Sequence, residues 1–407
     1  MSVKVKIIND PVYGFLRFPE PEIIAVINHK WFQRLRNIKQ MGLAQLVYPG
    51  AVHTRLAHSL GASHLMGKAL DELKAKGIDH DKDECTAGRL AALLHDIGHG
   101  PFSHSLENSL VQVPHEHISR IIMNRLNEEL GGTLEKAIQV FDHSYPRRYL
   151  HQLVSSQLDV DRMDYLNRDS FYTGVSEGVI GYDRILQMLT VQDNELMVEE
   201  KGVQSVEKFI IARRLMYWQV YLHKTVLGAE LLLVNILKRA KTLARDGVDL
   251  FATPSLRYFL YRDLTEADFV SDPIHLERYC ELDDTDVMAS IKVWQAHEDN
   301  VLSRLCQMLI LRKLYKVVFN PPSLASILEE RKEMIQHKWG LTEEETAYFV
   351  FDGTTSNSTY NINNELIRIA TKSGESKNIT EIDDSLVNQT LARAVHKKYI
   401  CYVQVNE

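Results

Sequence analysis

Residues Leu93 to His104 read LLHDIGHGPFSH, and this is the most informative segment of the sequence. Apolar residues at helical spacing from Thr86 onward predict a helix that ends at the adjacent pair His95 and Asp96, because glycines follow at once. A helix end that carries an imidazole and a carboxylate can direct both groups at one ion. A single His-Asp pair is more often a core histidine beside a capping aspartate, so a metal site requires further ligands.

Two other segments supply those candidate ligands. One is His58 in the run TRLAHS, and the other is an acidic residue of DVDRMDY at 159–165. Of 17 histidines, 12 lie in the first 151 residues, an excess that favours a metal hypothesis only weakly. Mixed imidazole and carboxylate ligands suit iron, manganese, nickel or zinc and leave positions open for water or a phosphate oxygen.

The composition describes a folded globular protein. The chain has 407 residues, a formal charge of −7 and 45% apolar residues, enough for one large domain or two to three smaller ones. Four widely spaced cysteines and the absence of a leader pattern predict a cytoplasmic protein with reduced thiols. No apolar run reaches the length of a membrane span, and no basic and aromatic stripe is visible. We therefore expect neither a membrane nor a nucleic-acid partner.

Helical patterns dominate the chain. They predict long helices over 206–245 and 284–318, and a helix over 323–339 that ends at Gly340. A β-hairpin is expected over 187–200, where Asp193 and Asn194 supply the turn, and strand signals surround a polar loop at 352–364. The predicted fold class is mainly α, with a helical core, a small β-hairpin and a C-terminal α+β unit. A boundary near Asn320 divides domain 1–320 from domain 321–407.

The ordered set His58, His95-Asp96 and Asp161 resembles the H…HD…D signature of the HD-domain metal-dependent phosphohydrolases. The runs FQRLRNIKQ at 32–40, YPGA at 48–51 and HTRLAHSLG at 53–61 resemble the branch of deoxynucleoside triphosphate triphosphohydrolases. This resemblance implies an HD-type helical core in which these four residues bind one divalent transition metal, while Mg²⁺ could accompany the nucleotide. It also implies hydrolysis of deoxynucleoside triphosphates to deoxynucleoside and tripolyphosphate.

The same resemblance implies the substrate contacts. Arg55 lies three residues before His58, and Arg162 follows Asp161; two permanently charged guanidinium forks suit a triphosphate, although either arginine could instead form a surface ion pair. The remaining contacts would surround the sugar: Gln40, Met41, Tyr165, Asp169 and Tyr221. From its pattern alone, Tyr221 could equally be a core residue. Tyr217 and Leu222 depart from the human member of the family, which has His and Gln there.

General acid chemistry is expected from His104, Glu107 and His115. By resemblance, His115 and Glu107 lie beside the α-phosphate and protonate the leaving sugar oxygen, because a histidine titrates near neutral pH. Glu107 stands where the human member has Asp. We expect His64, His99 and His117 to be supporting or surface residues and not metal ligands.

Two alternatives remain open from the sequence. The same fold could act on another nucleotide, such as a monophosphate, a cyclic nucleotide or a signalling nucleotide. The chain could also be a regulatory nucleotide-binding or nucleic-acid-binding protein with a residual metal site. The resemblance further implies a homo-oligomer, a dimer or tetramer, and a possible nucleotide effector.

Overall fold

The computed structural model of the protein describes residues 5–107, 109–357, 366–382 and 395–404. The predicted fold class is confirmed, since helices dominate and the described strands are short. The helices in chain order are α1 Pro21–Asn28, α2 Lys30–Gln33, α3 Arg55–Ala75, α4 Lys82–Leu94, α5 His104–Glu107, α6 His115–Glu129, α7 Glu135–Phe141, α8 Arg148–Val154, α9 Val160–Thr173, α10 Tyr182–Met188, α11 Val203–Met216, α12 Lys224–Arg245, α13 Pro254–Leu260, α14 Glu266–Ser271, α15 Pro273–Glu281, α16 Asp284–Trp294, α17 Asn300–Ile310, α18 Leu324–Trp339 and α19 Glu343–Thr346. The strands are β1 Lys6–Asp10, β2 Gly14–Phe18, β3 Leu189–Gln192, β4 Glu195–Glu199, β5 Lys316–Phe319, β6 Val350–Asn357, β7 Arg368–Ala370, β8 Ser376–Asn378 and β9 Val395–Tyr402.

Helix α3 forms the centre of the helical core. It packs against both α4 and α9, and most of its residues are buried. Gly61 permits the close approach of α9, because a Cβ atom at this position would lie 1.9 Å from Asp164 Oδ1. This contact places His58, on the preceding turn of α3, beside the first turn of α9.

A second glycine brings α6 to the end of α4. A Cβ atom at Gly98 would lie 2.2 Å from the carbonyl oxygen of His115 and 2.3 Å from the backbone nitrogen of Ser119. The Ser119 hydroxyl also accepts a hydrogen bond from Gly98 N at 2.8 Å and donates one to the His95 carbonyl oxygen at 3.0 Å. The loop after α4 and the first turn of α6 are therefore in direct contact.

The predicted hairpin is present. Strands β3 and β4 pair in antiparallel fashion, with Leu189 opposite Val198. Asp193 and Asn194 form the turn with φ angles of 52° and 65°, a left-handed conformation that these two residue types tolerate. The helix predicted to end at Gly340 is α18, and Gly340 has φ 65°, as expected for a glycine at a helix C-terminus.

The C-terminal region shares two sheets with the residues before it. Strand β5 pairs with β9, which also pairs with β6. Strand β7 pairs in parallel with β4, with Arg368 opposite Met197. The domain boundary near Asn320 stays a prediction, and backbone hydrogen bonds join the regions on its two sides.

Three sequence expectations were wrong in detail. The segment 284–318 forms two helices and a strand, because Asp299 caps α17 by accepting Leu302 N at 2.8 Å and the last residues pair with β9. The segment 206–245 breaks at a π-helical turn, Tyr217–Tyr221, before α12. The predicted polar loop begins as strand, since β6 extends to Asn357; residues 358–364 lie outside the described ranges.

Among the described residues, no single helix has the length and apolar character needed to cross a membrane. Only the segments Glu200–Tyr221 and Lys224–Arg245 taken together, bent by 59°, meet that requirement.

Candidate active site

Four predicted ligands converge where α3, α4 and α9 meet. His58 Nε2 lies 3.2 Å from Asp161 Oδ1, and His95 Nε2 lies 3.4 Å from the same oxygen. Asp96 completes the group, with Oδ1 3.4 Å from His95 Nε2 and Oδ2 3.8 Å from His58 Nε2. Ligand atoms about 2.1 Å from a common ion are roughly 3–4 Å apart, so the spacing fits one metal ion.

The hydrogen bonds of the two histidines direct their Nε2 atoms toward this ion position. His58 Nδ1 lies 2.7 Å from Asp164 Oδ2, and His95 Nδ1 lies 2.8 Å from the Ala92 carbonyl oxygen. If each Nδ1 carries the proton, each Nε2 presents a lone pair, as metal-ligating imidazoles do. Both Nε2 atoms are buried and lack a hydrogen-bond partner among the described residues. These orphaned atoms fit a bound divalent metal.

The electrostatics of the cluster favour positive charge. Burial would lower the pKa of His58, but Asp161 and Asp164 outweigh burial and raise it to about 10. Burial likewise opposes the charged form of His95, yet Asp96 and Asp161 raise its pKa to about 9. The carboxylates thus attract cations strongly enough to overcome desolvation, and a divalent ion would satisfy them.

Arg55 lies against the same cluster. Its Nη1 donates to Asp96 Oδ2 at 2.6 Å, while Nη2 and Nε donate to Ser103 Oγ at 2.6 and 3.1 Å.

Asp96, His99 and His115 form another group of nearby ligand atoms. Burial and the positive charge of Arg55 lower the pKa of His99 to about 3. That environment disfavours a second cation, so the group around His58 is the better metal site.

The predicted general acid, His115, lies beside His99. The rings of His99 and His115 stack with centroids 3.6 Å apart, and His99 Nε2 lies 3.5 Å from Asp96 Oδ1. His115 Nδ1 lies 2.8 Å from Glu107 Oε1, which also accepts the backbone N–H of His115 at 2.7 Å. The side chain of His104 lies outside the described residues. The catalytic roles of these residues stay predictions.

A cleft of about 760 Å³ adjoins the metal cluster at Asp161. The predicted substrate contacts all line it: Gln40, Met41, Arg55, Arg162, Tyr165, Asp169 and Tyr221. The two departures from the human pattern, Tyr217 and Leu222, line it as well. The structure thus brings the predicted residues together, and their individual roles stay predictions.

The cleft wall near Asp169 depends on the π-helical turn. Tyr221, the last residue of this turn, donates its hydroxyl to Asp169 Oδ2 at 2.7 Å. His53 Nε2 lies 2.7 Å from the other carboxylate oxygen of Asp169, and the His53 ring stacks on Tyr172. π-helical turns are frequent at functional sites because they reorient side chains within a helix. Here the turn directs Tyr221 into the cleft.

Sequence reasoning missed several residues around the site. Arg213 lines the cleft, and Asp164 and Arg168 form a buried charge network behind His58. The i, i+3, i+7 spacing of Asp161, Asp164 and Arg168 in α9 was a usable signal, because it places charged groups on one helix face. Asp284 was missed too, and burial raises its pKa to about 6 against the effect of two backbone hydrogen bonds.

His64 and His117 lie apart from the cluster. His117 pairs with Glu266 at the surface, and the His64 ring contacts Tyr13.

Comparisons with known proteins identify the family of this chain. Residues 55–169 match the HD domain, and residues 180–248 match an HD associated region. The uncharacterized protein YwfO of Bacillus subtilis (strain 168) is 36% identical over 327 residues, covering 78% of this chain and 72% of YwfO. A phosphohydrolase crystal structure from Bacteroides thetaiotaomicron VPI-5482 has 48% identity and a TM-score of 0.94, covering 98% of this chain and 100% of that one.

The HD-domain match and the helical core that brings His58, His95, Asp96 and Asp161 close together define a protein of the HD type. The chain belongs to the HD-domain phosphohydrolase superfamily. One branch of this superfamily is related to deoxynucleoside triphosphate triphosphohydrolases. The SAMHD1 homolog of Dictyostelium discoideum, which is named for that activity, is 31% identical to this chain over 255 residues. That match covers 58% of this chain and 49% of the Dictyostelium protein.

Proposed function

We propose that this phosphohydrolase cleaves deoxynucleoside triphosphates to deoxynucleoside and tripolyphosphate. The observation that carries the proposal is the cleft, in which cationic and tyrosine side chains continue directly from Asp161 of the metal cluster. A divalent ion held by His58, His95, Asp96 and Asp161 would supply Lewis acidity and lower the pKa of a bound water. The surrounding side chains would bind and orient the nucleotide.

The triphosphate is matched by three guanidinium groups on the cleft wall: Arg55, Arg162 and Arg213. The Nε atoms of Arg162 and Arg213 are buried and have no hydrogen-bond partner among the residues described. An unpaired buried donor is costly, so an anionic ligand that accepts these hydrogen bonds would be favoured. A monophosphate could occupy only part of this cationic wall.

The sugar is matched by Asp169, Tyr165 and Tyr221. Because Tyr221 already donates to one oxygen of Asp169, that carboxylate is fixed in place and retains lone pairs for a sugar hydroxyl. Tyr165 and Tyr221 contact each other edge to face with centroids 6.1 Å apart. We propose that this aromatic surface lies against the sugar and leaves no room for a 2′-hydroxyl.

His115 is the proposed general acid. Its hydrogen bond to Glu107 orients the ring, so that the other ring nitrogen could donate a proton to the departing 5′-oxygen. His99, which burial and Arg55 keep neutral, stacks on the ring of this acid. Attack by water at the α-phosphorus would then break its bond to the 5′-oxygen and release tripolyphosphate intact.

Product analysis in oxygen-18 water tests this reaction. We expect metal-loaded protein to convert the four deoxynucleoside triphosphates to deoxynucleoside and labelled tripolyphosphate, with unlabelled nucleoside. Ribonucleoside triphosphates, nucleoside monophosphates and cyclic nucleotides serve as competing substrates. Initial release of orthophosphate or pyrophosphate, or preference for a monophosphate or cyclic nucleotide, would refute the proposal in favour of another nucleotide substrate.

The metal site is tested separately. We expect about one transition-metal ion per chain by elemental analysis, and loss of that ion when His95 and Asp96 are both changed to Ala. His117→Ala, an exposed histidine on α6, is the matched control and should retain the metal. Full metal content in the double variant would refute the ligand assignment. The homo-oligomer, the nucleotide effector and the cytoplasmic location stay predictions.

A further inference from the structure

Asp284, the first residue of α16, lies outside both matched family segments and yet bonds to two loops of the site. Its Oδ2 accepts the backbone N–H of Lys39 at 3.0 Å, and its Oδ1 accepts that of Phe102 at 3.1 Å. Asp284 is only 6% exposed. One buried carboxylate therefore joins segments that are 245 and 182 residues away along the chain.

The Phe102 amide belongs to a strained turn. Phe102 and Ser103 have φ angles of 51° and 49°, a left-handed conformation that is costly for residues other than glycine. Such backbone persists only where its surroundings hold it, and Asp284 holds the first of the two amides. The hydroxyl of Ser103 in turn accepts two hydrogen bonds from the Arg55 guanidinium.

The Lys39 amide belongs to the facing wall of the cleft. Gln40 follows Lys39, donates its N–H to the His53 carbonyl oxygen at 3.0 Å, and lines the cleft together with Met41. Asp284 thus contacts the backbone one residue before Gln40 and one residue before Ser103.

We infer that Asp284 is a positioning residue, which holds the Phe102–Ser103 turn and through Ser103 orients the Arg55 guanidinium toward a phosphate group in the cleft. This inference rests on the proposed function for its ligand, a polyphosphate. It assigns Asp284 no contact with the substrate.

A simple charge effect would act in the opposite direction. Asp284 is a negative charge close enough to Arg55 to favour its charged form. If charge were its only influence, removing it would leave the cleft more positive and strengthen polyphosphate binding. Loss of the oriented guanidinium would weaken that binding, so the sign of the change separates the two explanations.

Asp284→Asn is the informative substitution, because it keeps the side-chain size but replaces one acceptor oxygen with an amide that cannot accept an N–H. We expect about tenfold weaker binding of inorganic tripolyphosphate by calorimetry on the metal-loaded protein, with unchanged metal content. Asp286→Asn is the matched control: Asp286 Oδ2 accepts Asp283 N at 2.8 Å within the same helix start, so its loss perturbs α16 alone. Equal or tighter binding in Asp284→Asn, or an equal loss in Asp286→Asn, would overturn the inference.

Hydrogen exchange followed by mass spectrometry tests the turn without any ligand. Peptides that contain Lys39 or Phe102 should exchange faster in Asp284→Asn than in the wild type or in Asp286→Asn; unchanged exchange would overturn the inference. If Asp284→Asn does not fold, Ser103→Ala provides the second test, since it removes the link to Arg55 and should weaken tripolyphosphate binding to a similar degree. Wild-type protein that binds tripolyphosphate no better than orthophosphate would refute the proposed function, and exchange alone would then decide the role of Asp284.

Discussion

Replacing Arg168 with methionine tests the charge network that supports His58. Arg168 is fully buried, and its Nε and Nη2 donate to the two oxygens of Asp164 at 2.9 Å each. Its Nη1 donates to Asp10 Oδ2 at 2.7 Å. Asp164 in turn lies 2.7 Å from His58 Nδ1, so the network connects the β1–β2 hairpin with a predicted metal ligand.

The expected loss of stability is large, because the substitution leaves two buried carboxylates without their cation. Removing one partner of a buried ion pair costs about 3–5 kcal/mol, and methionine preserves most of the side-chain volume. We therefore expect the free energy of unfolding of Arg168→Met to fall by about that amount. Arg125→Met is the matched control: Arg125 pairs with Glu128 at 2.8 Å, and both side chains are exposed, so its loss should cost at most about 1 kcal/mol.

Urea unfolding followed by circular dichroism measures both variants, and the pH dependence gives a second readout. Burial would raise the pKa of Asp164, but Arg168 and His58 outweigh it and lower the pKa. In the wild type, this stabilisation is present above the unfolded-state pKa of about 3.9 and is lost as the pH falls through the folded-state value. Without Arg168 the stabilisation is reduced, so the deficit should be constant from pH 7 down to about the unfolded-state pKa of 3.9 and should shrink as the pH falls below it. Equal losses in the Arg168 and Arg125 variants would refute this account.

Three further substitutions test the site. Arg162→Lys should raise KM for a deoxynucleoside triphosphate about tenfold and leave the metal content unchanged, because lysine can still pair with buried Asp159 but lacks the guanidinium fork. Steady-state kinetics and elemental analysis measure these two quantities. Loss of metal would instead assign Arg162 a supporting role at the metal site. His115→Ala should lower kcat by roughly 10²–10⁴-fold with the metal retained. His117→Ala, on the same helix, is the control and should have wild-type kinetics. Similar kcat values for both variants would exclude His115 as the general acid. Gly98→Ala should lower both the midpoint of thermal unfolding and kcat, since the alanine Cβ would collide with the backbone at the start of α6. A variant with a wild-type midpoint and kcat would contradict the close packing of Gly98 against α6.

Local sequence patterns predicted the features that depend on residues close together in the chain. The end of α4 at the His95-Asp96 pair, the left-handed turn at Asp193 and Asn194, and the stop of α18 at Gly340 all follow from capping and turn preferences. The same patterns failed over 284–318. Apolar spacing is similar in two short helices and in one long helix, and the pairing of β5 with β9 depends on residues far along the chain.

From the sequence, the HD pair and the other two ligand candidates could be predicted to gather at one site, because they are chemically distinctive residues in recognisable local contexts. The surroundings of these residues became visible in the folded chain: the approach of α9 at Gly61, the network of Arg168 with Asp164 and Asp10, and the hydrogen bonds of Asp284 to two loops. The physical reason is that these contacts join residues distant in the chain. Their energies depend on how helices pack and on which buried charges meet, and neither is contained in the preferences of neighbouring residues.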